Sequence, residues 1–389
     1  MSRVVSLETF IVTVPRETPY LGPLAADEHV NARGYVVRKG NGTIYPVVDR
    51  SIVVRITTED GTVGWGETYG ICAPRATCEI INDLLAPVTI GTDPADVEAI
   101  WDELYGLMRV RGCTSGFHVD AIAAIDIALW DLRGKLRGVP IRDLLGPTLN
   151  STVPGYLSGL PAATLEERVA LAAEKYAAGH RAFKFAAAVS HAGIVAEMAA
   201  LRDALGPDAH IMVDLHWKFT AAEALELIGA LARYEPFFVE APVKPEDHAG
   251  LARVARESPV PIAAGEEWYT AYEAGNRLGA GPIAFLQPEM GHTGITQFRR
   301  IAATAAAHGA AIAPHATIGA GLFLAASLQA SATSGRLWKH EWQHSVFERN
   351  LGLLDGDMDY ADGAYLLPTA PGLGVAPNTR LWKFAERIE

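Results

Sequence analysis

Cysteine is scarce in this chain: Cys72, Cys78 and Cys113 are the only three in 389 residues. An odd number with no metal-ligand spacing argues against a disulfide scaffold or a thiolate metal site. Positive charge is also short. Against 45 Asp and Glu stand 33 Lys and Arg, a formal charge of −12, which argues against nucleic acid or an anionic membrane surface as partner. An anionic small substrate stays open, because a bound metal and a few local cations reverse the potential inside a cleft. Long apolar runs are missing too. The opening MSRVVSLETFIVTV alternates like a strand and lacks the uninterrupted apolar stretch of a signal peptide or membrane span, so a cytoplasmic protein is expected. What the chain has is apolar content, 49%, enough for a large core and two domains.

The first part reads as antiparallel sheet and then helices. VVSLETFIVTV and SIVVRITTEDGTVGWGE are strand-like, the second with a hairpin turn at Glu59-Asp60-Gly61. Between them lies a segment with Gly40-Asn41-Gly42 and no clear period, of a length that in a compact domain signals function or mobility. Helical patterning runs from about Ala76 to Leu136. From about Val153 the pattern becomes repeated strand–helix units: VPGYLSG, AFKFAA, IMVDLH, FFVEAP, IAAGE, AFLQPE, AIAPHA and RLWKHEW. Thr164/Glu167, Thr220/Glu223 and Thr270/Glu273 are Thr-x-x-Glu helix starts, and Gly179 and Gly309 stand where helices should stop. Eight such units predict a (β/α) barrel, with a doubly wound sheet as the local alternative. The expected division is a capping α+β domain over 1–136, a barrel over 137–349, and a Gly/Pro-rich tail over 350–389 that packs back on the cap.

The polar residues at the strand ends keep a beat. Asp214, Glu240 and Glu266 follow at 26-residue intervals, and Lys184, Glu289, His315 and Glu341 extend the series. A residue at the C-terminal end of a barrel strand points into the mouth, where chemistry sits. Three acids converging there repel one another unless a cation holds them, and oxygen-only ligands favour a hard ion such as Mg²⁺.

As a set, these residues resemble the enolase superfamily, in its mandelate racemase-like branch. The resemblance spans nearly the whole chain and includes AIDIALWDLRGK (Ala124 to Lys135), which is similar to the helix before that family's barrel. It implies an enolase-type modified TIM barrel with Asp214, Glu240 and Glu266 as Mg²⁺ ligands and Glu289 with His315 as a dyad. It also implies removal of the proton α to a carboxylate to give an enediolate, and a symmetric homo-oligomer. His315 is the candidate base, oriented by Glu289. The family usually has Asp at that second position, so the reach here is longer by one methylene. Many relatives carry Lys-x-Lys on the second barrel strand, whereas this chain has Lys184-Phe185-Ala186. A two-base racemase is therefore disfavoured, and Lys184 falls to the substrate carboxylate. His216, in an Asp-x-His pattern, resembles the acid that assists hydroxide departure in acid-sugar dehydratases. Elimination by His315 alone would be syn, and with His216 it would be anti if the two face opposite sides.

Substrate choice is expected in the capping loops, with Arg33, Arg38, Lys39 and Arg75 as contacts, and Arg111 and His118 as weaker candidates. Lys218 and Glu341 are further candidates at the mouth. A polar rim suits a hydroxylated carboxylate. The leading reading is thus a Mg²⁺-dependent dehydratase of an aldonate or aldarate giving a 2-keto-3-deoxy acid. An epimerase or cycloisomerase of the same branch, a non-catalytic metal-binding homologue, and a metal-dependent hydrolase remain as alternatives.

Overall fold

Apolar alternation at the N-terminus is satisfied by an antiparallel sheet. In the computed structural model, which describes residues 2–190, 192–316 and 319–389, β1 (Val4–Val14) is followed by a short hairpin, β2 (Tyr35–Arg38) and β3 (Thr43–Pro46), then by β4 (Asp49–Thr58) and β5 (Val63–Tyr69). β1 and β4 pair antiparallel, as do β4 and β5, and the late strand Ala385–Ile388 pairs with β1 from the other side. The turn at Glu59–Gly61 forms where the sequence placed it, with Gly61 at φ 83°. The β2–β3 hairpin was not anticipated. Its strands are four residues each and partly exposed, too short to leave a period, and the turn rests on Gly42 at φ 73°.

Eight further strands follow: β6 (Thr152–Ser158), β7 (Ala182–Ala186), β8 (His210–Asp214), β9 (Val239–Glu240), β10 (Ile262–Ala264), β11 (Phe285–Leu286), β12 (Ala311–Ile312) and β13 (His340–Trp342). Neighbours pair in parallel from β6 to β12, β13 pairs with β6, and a bridge from Ile312 to Leu337 closes the ring. The doubly wound alternative is thereby excluded. Thr164 and Thr220 form complete capping boxes. At Thr270 only half the box forms: its side chain accepts from Glu273 N, while the Glu273 carboxylate turns to Arg277 at 2.9 Å. Tyr156, Met212, Phe238, Ala263 and Ala313 fill the barrel interior below the mouth.

Helix Phe117–Arg137 locks the capping sheet to the barrel. Asp126 accepts from Thr296 N at 3.0 Å, and Trp130 Nε1 donates to Thr296 Oγ1 at 3.1 Å. Asp131 accepts from Trp65 N and Leu373 N, each at 2.8 Å, joining β5 to the C-terminal segment. On β5, Glu67 is fully buried and accepts from the backbone N–H groups of Leu322 and Phe323, the first turn of helix Leu322–Ser331. That carboxylate satisfies donors a helix start leaves unpaired and complements its dipole. Helix Phe117–Arg137 approaches β5 so closely that a Cβ at Gly66 would run into the Ala124 carbonyl oxygen. Gly66→Ala should therefore cost about 3 kcal/mol by overpacking, read as a lowered urea midpoint at unchanged slope. An unaltered midpoint would mean the helix can shift freely on the sheet.

Candidate active site

Strand ends supply the site. Glu289 and His315 sit side by side on a bridge just beyond β11 and β12, and His315 Nδ1 lies 2.7 Å from Glu289 Oε2. The longer acid therefore reaches. Glu289 Oε1 accepts from Gly291 N at 2.8 Å, which fixes the carboxylate and leaves Nδ1 as donor. His315 Nε2 then faces Glu266 Oε2 at 3.1 Å and Glu341 Oε2 at 3.5 Å. Lys184 Nζ spans both oxygens of Glu240, at 2.8 Å each, and meets Glu341 Oε1 at 3.1 Å. His216 N donates to Asp214 Oδ1 at 2.8 Å, and its ring Nδ1 lies 2.9 Å from Oδ2.

Electrostatics follow from burial and crowding. Burial opposes charge on His315, but Glu266, Glu341 and Glu289 carry its pKa up to about 10. Burial likewise opposes charge on Lys184, yet Glu240 and Glu341 hold it well above its ordinary value. Burial, with Glu240 and Asp214 nearby, keeps Glu266 well above the carboxylate range. For Glu341 burial is outweighed by Lys184 and His315, so its pKa falls. Asp214 is lowered in the same way, chiefly by His216 against burial.

The backbone bends to present these groups. β8 ends at Asp214, so a strand period does not carry His216 to the same face. Instead His216 and Trp217 adopt φ of 51° and 52°, and Ala241, after Glu240, adopts 45°. Left-handed non-glycine residues cost about 1–3 kcal/mol each and persist where surroundings impose them. Here Leu215 N donates to Glu240 O at 2.9 Å and Trp217 N to Ala241 O at 2.8 Å, cross-linking the two turns. The left-handed turn brings His216 to the cavity.

That cavity, about 1420 Å³, is walled by Lys184, Asp214, His216, Glu266, Glu289, His315 and Glu341 from the barrel and by Tyr20, Lys39 and Tyr45 from the cap. Of the other expected contacts, Lys39 and Arg38 line the cavity but are engaged within the cap, and the rest lie elsewhere. Arg33 and Lys218 are exposed and outside the wall. Lys39 lines the rim but pairs with Asp27. Arg38 is buried, bonded to Glu28 at 2.8 Å and to the carbonyls of Tyr20, Gly22 and Pro23, so it shapes the loop above the mouth. Arg75 pairs with Glu386 on the surface, Arg111 bonds the Leu107 carbonyl, and His118 is buried away from the cavity. Tyr20 and Tyr45, with ring centroids 5.7 Å apart, sit close enough to Glu266 for its charge to act on both hydroxyls. Both come from the aperiodic segment, which gave no local signal. Also unforeseen is His292, whose Nδ1 lies 2.6 Å from Asp120 Oδ1 between the rings of Tyr69 and Tyr269.

Fit to a metal can be judged from the donors. Asp214, Glu240 and Glu266 are all oxygen donors, the set a hard divalent ion takes and Zn²⁺ does not favour. Glu266 Oε2 is buried with no hydrogen-bond partner among the described residues, with His315 Nε2 3.1 Å away as an ion-pair neighbour. No group of three or more His, Cys, Asp or Glu among the described residues is gathered into a finished cage. Each carboxylate is drawn instead to a cation of the protein.

Residues 167–381 match the enolase C-terminal domain-like family, and residues 46–146 match the mandelate racemase / muconate lactonizing enzyme N-terminal domain. The chain belongs to the enolase superfamily. It is 33% identical to D-galactarolactone cycloisomerase of Agrobacterium fabrum over 84% of this chain and 89% of that one. To D-galactonate dehydratase of Verminephrobacter eiseniae it is also 33% identical, over 87% and 92%. Among solved structures, an enolase superfamily member from Agrobacterium tumefaciens superposes with TM-score 0.97 at 55% identity over 100% of both chains. A mandelate racemase/muconate lactonizing protein from Paracoccus denitrificans, complexed with magnesium, gives 0.83 at 27% over 100% and 99%. No helix among the described residues is long and apolar enough to cross a membrane.

Proposed function

We propose that this enolase superfamily protein is a Mg²⁺-dependent dehydratase of an acid sugar, removing the proton α to the carboxylate and expelling the β-hydroxyl to form a 2-keto-3-deoxy acid. The observation that carries the reading is the meeting of two histidines with different partners on one cavity wall. His315 is tied through Nδ1 to Glu289, and His216 rests on Asp214. Asp214, Glu240 and Glu266 would hold the ion. Mg²⁺ bound there would supply positive charge to the substrate carboxylate and relieve the carboxylates that otherwise keep His315 protonated. His315 Nε2 is then the group that takes the α-proton, its ring held in one tautomer by Glu289. Lys184, buried and cationic, stands where negative charge accumulates on the carboxylate oxygens. His216 is placed to protonate the departing hydroxyl, which leaves poorly as hydroxide. Ala186 offers no second base on the facing strand, which disfavours racemisation.

A second reading has specific support. The cycloisomerase relative matches as well as the dehydratase, and a cycloisomerase also needs one base beside a carboxylate. Incubating aldonic and aldaric acids and their lactones with enzyme and Mg²⁺ separates the two. Dehydration is expected to yield 2-keto acid, trapped with semicarbazide. Keto acid released from the lactone but not from the open acid would favour the cycloisomerase, in which the lactone ring oxygen leaves in place of the hydroxyl. Neither reaction across the panel would overturn both.

A further inference from the structure

Away from the carboxylate cluster, the cavity wall carries positive charge that the chemistry at the mouth leaves unused. Arg16, just past β1, donates from Nη1 to Asp49 Oδ1 at 2.6 Å. Arg349, in helix His344–Asn350, meets the other oxygen of the same carboxylate. Both arginines line the cavity. Two guanidinium groups thus share one anion. Neither is ion-paired to any other carboxylate among the described residues, and Glu17 beside them is exposed.

The surplus is physically costly. Burial, and then the charge of Arg16, lower the pKa of Arg349 to about 10, and burial lowers that of Arg16 as well. A second anion between them would remove the cost, and paired guanidinium forks match a carboxylate in shape and charge. Position agrees with this use. The Arg16 guanidinium lies 5.9 Å from the Tyr20 ring centroid, and the Tyr20 hydroxyl feels the charges of Glu341 and Glu266. Tyr20 therefore neighbours both the reacting end and Arg16. Beyond the mouth the wall carries Arg16, Arg38, Lys39, Arg168 and Arg349 against Glu17 and Glu28, an excess of positive charge.

We propose that Arg16 and Arg349 bind the distal carboxylate of a dicarboxylic substrate, so that the acid sugar is an aldarate rather than an aldonate. This rests on the acid-sugar reading of the same site. The bland alternative is that Arg16–Asp49–Arg349 only ties the loop after β1 to the last barrel helix.

The test compares pairs of six-carbon acids of matched configuration, galactarate with D-galactonate and glucarate with gluconate, in Mg²⁺. Keto-acid formation and ligand-induced thermal shift are measured for wild type, Arg16→Gln, Arg349→Gln and Asp49→Asn. Wild type should prefer the diacid of at least one pair. In either arginine variant the diacid-to-monoacid ratio of kcat/KM should fall about tenfold or more, the loss of a charge-assisted contact. Asp49→Asn frees both guanidinium groups, so its diacid thermal shift should equal or exceed that of wild type. This holds the proposal to account even if an arginine variant folds poorly. A tie alone would lower the ligand-free melting temperature in all three variants and leave the diacid preference untouched, overturning the proposal. So would the absence of a diacid preference in every pair. If no keto acid forms but a diacid-selective shift is lost with Arg349, the dehydratase reading falls and the distal site stands.

Discussion

Replacing His315 with asparagine should cut both keto-acid formation and α-deuterium exchange in D₂O by about 10³-fold, the scale of a lost general base. Asparagine keeps a donor near the Nδ1 position, so the bond to Glu289 can persist and the fold should hold. The paired exchange assay gives the result its meaning. His216→Asn should depress elimination more than exchange, because the proton on carbon is removed before the hydroxyl leaves with help from position 216. Equal losses in both assays for His216→Asn would make it a positioning group for Asp214, whose Oδ1 and Oδ2 it already contacts at 2.8 and 2.9 Å. Retention of exchange in His315→Asn would place the base elsewhere, and Lys184 would be the next to test.

Much of the mouth was legible because a barrel repeats one structural unit, and strand-end residues inherit its spacing. Lys184, Asp214, Glu266, Glu289, His315 and Glu341 all line one cavity, and Glu240 lies buried beneath it against Lys184. His216 lies outside the strand repeat: β8 stops at Asp214, and a left-handed turn carries the ring to the cavity. The distal wall was not legible. Arg16 and Arg349 come from opposite ends of the chain, and only the tertiary fold brings them to Asp49. Arg38 looked like a ligand contact because it lies in an aperiodic segment. That segment folds around it, and the guanidinium is used up on Glu28 and loop carbonyls. Charge in a loop is visible in a sequence, whereas what neutralises it is a tertiary fact.

Lys184→Met should destabilise the metal-free protein by about 3–5 kcal/mol, the cost of removing one partner from a buried ion pair. Lys184 is 3% exposed and is the ammonium group set between Glu240 and Glu341. Methionine fills the same space, so packing loss is small and the change reports charge. The deficit should shrink when urea unfolding is repeated in MgCl₂ instead of EDTA, because an ion held by Asp214, Glu240 and Glu266 restores the missing positive charge and stabilises by mass action. Wild type, already balanced by Lys184 and His315, should gain less. An equal gain in the two proteins would put the ion elsewhere. No gain in either would remove Mg²⁺ from the function and leave Lys184 and His315 as the permanent counter-ions of the barrel mouth.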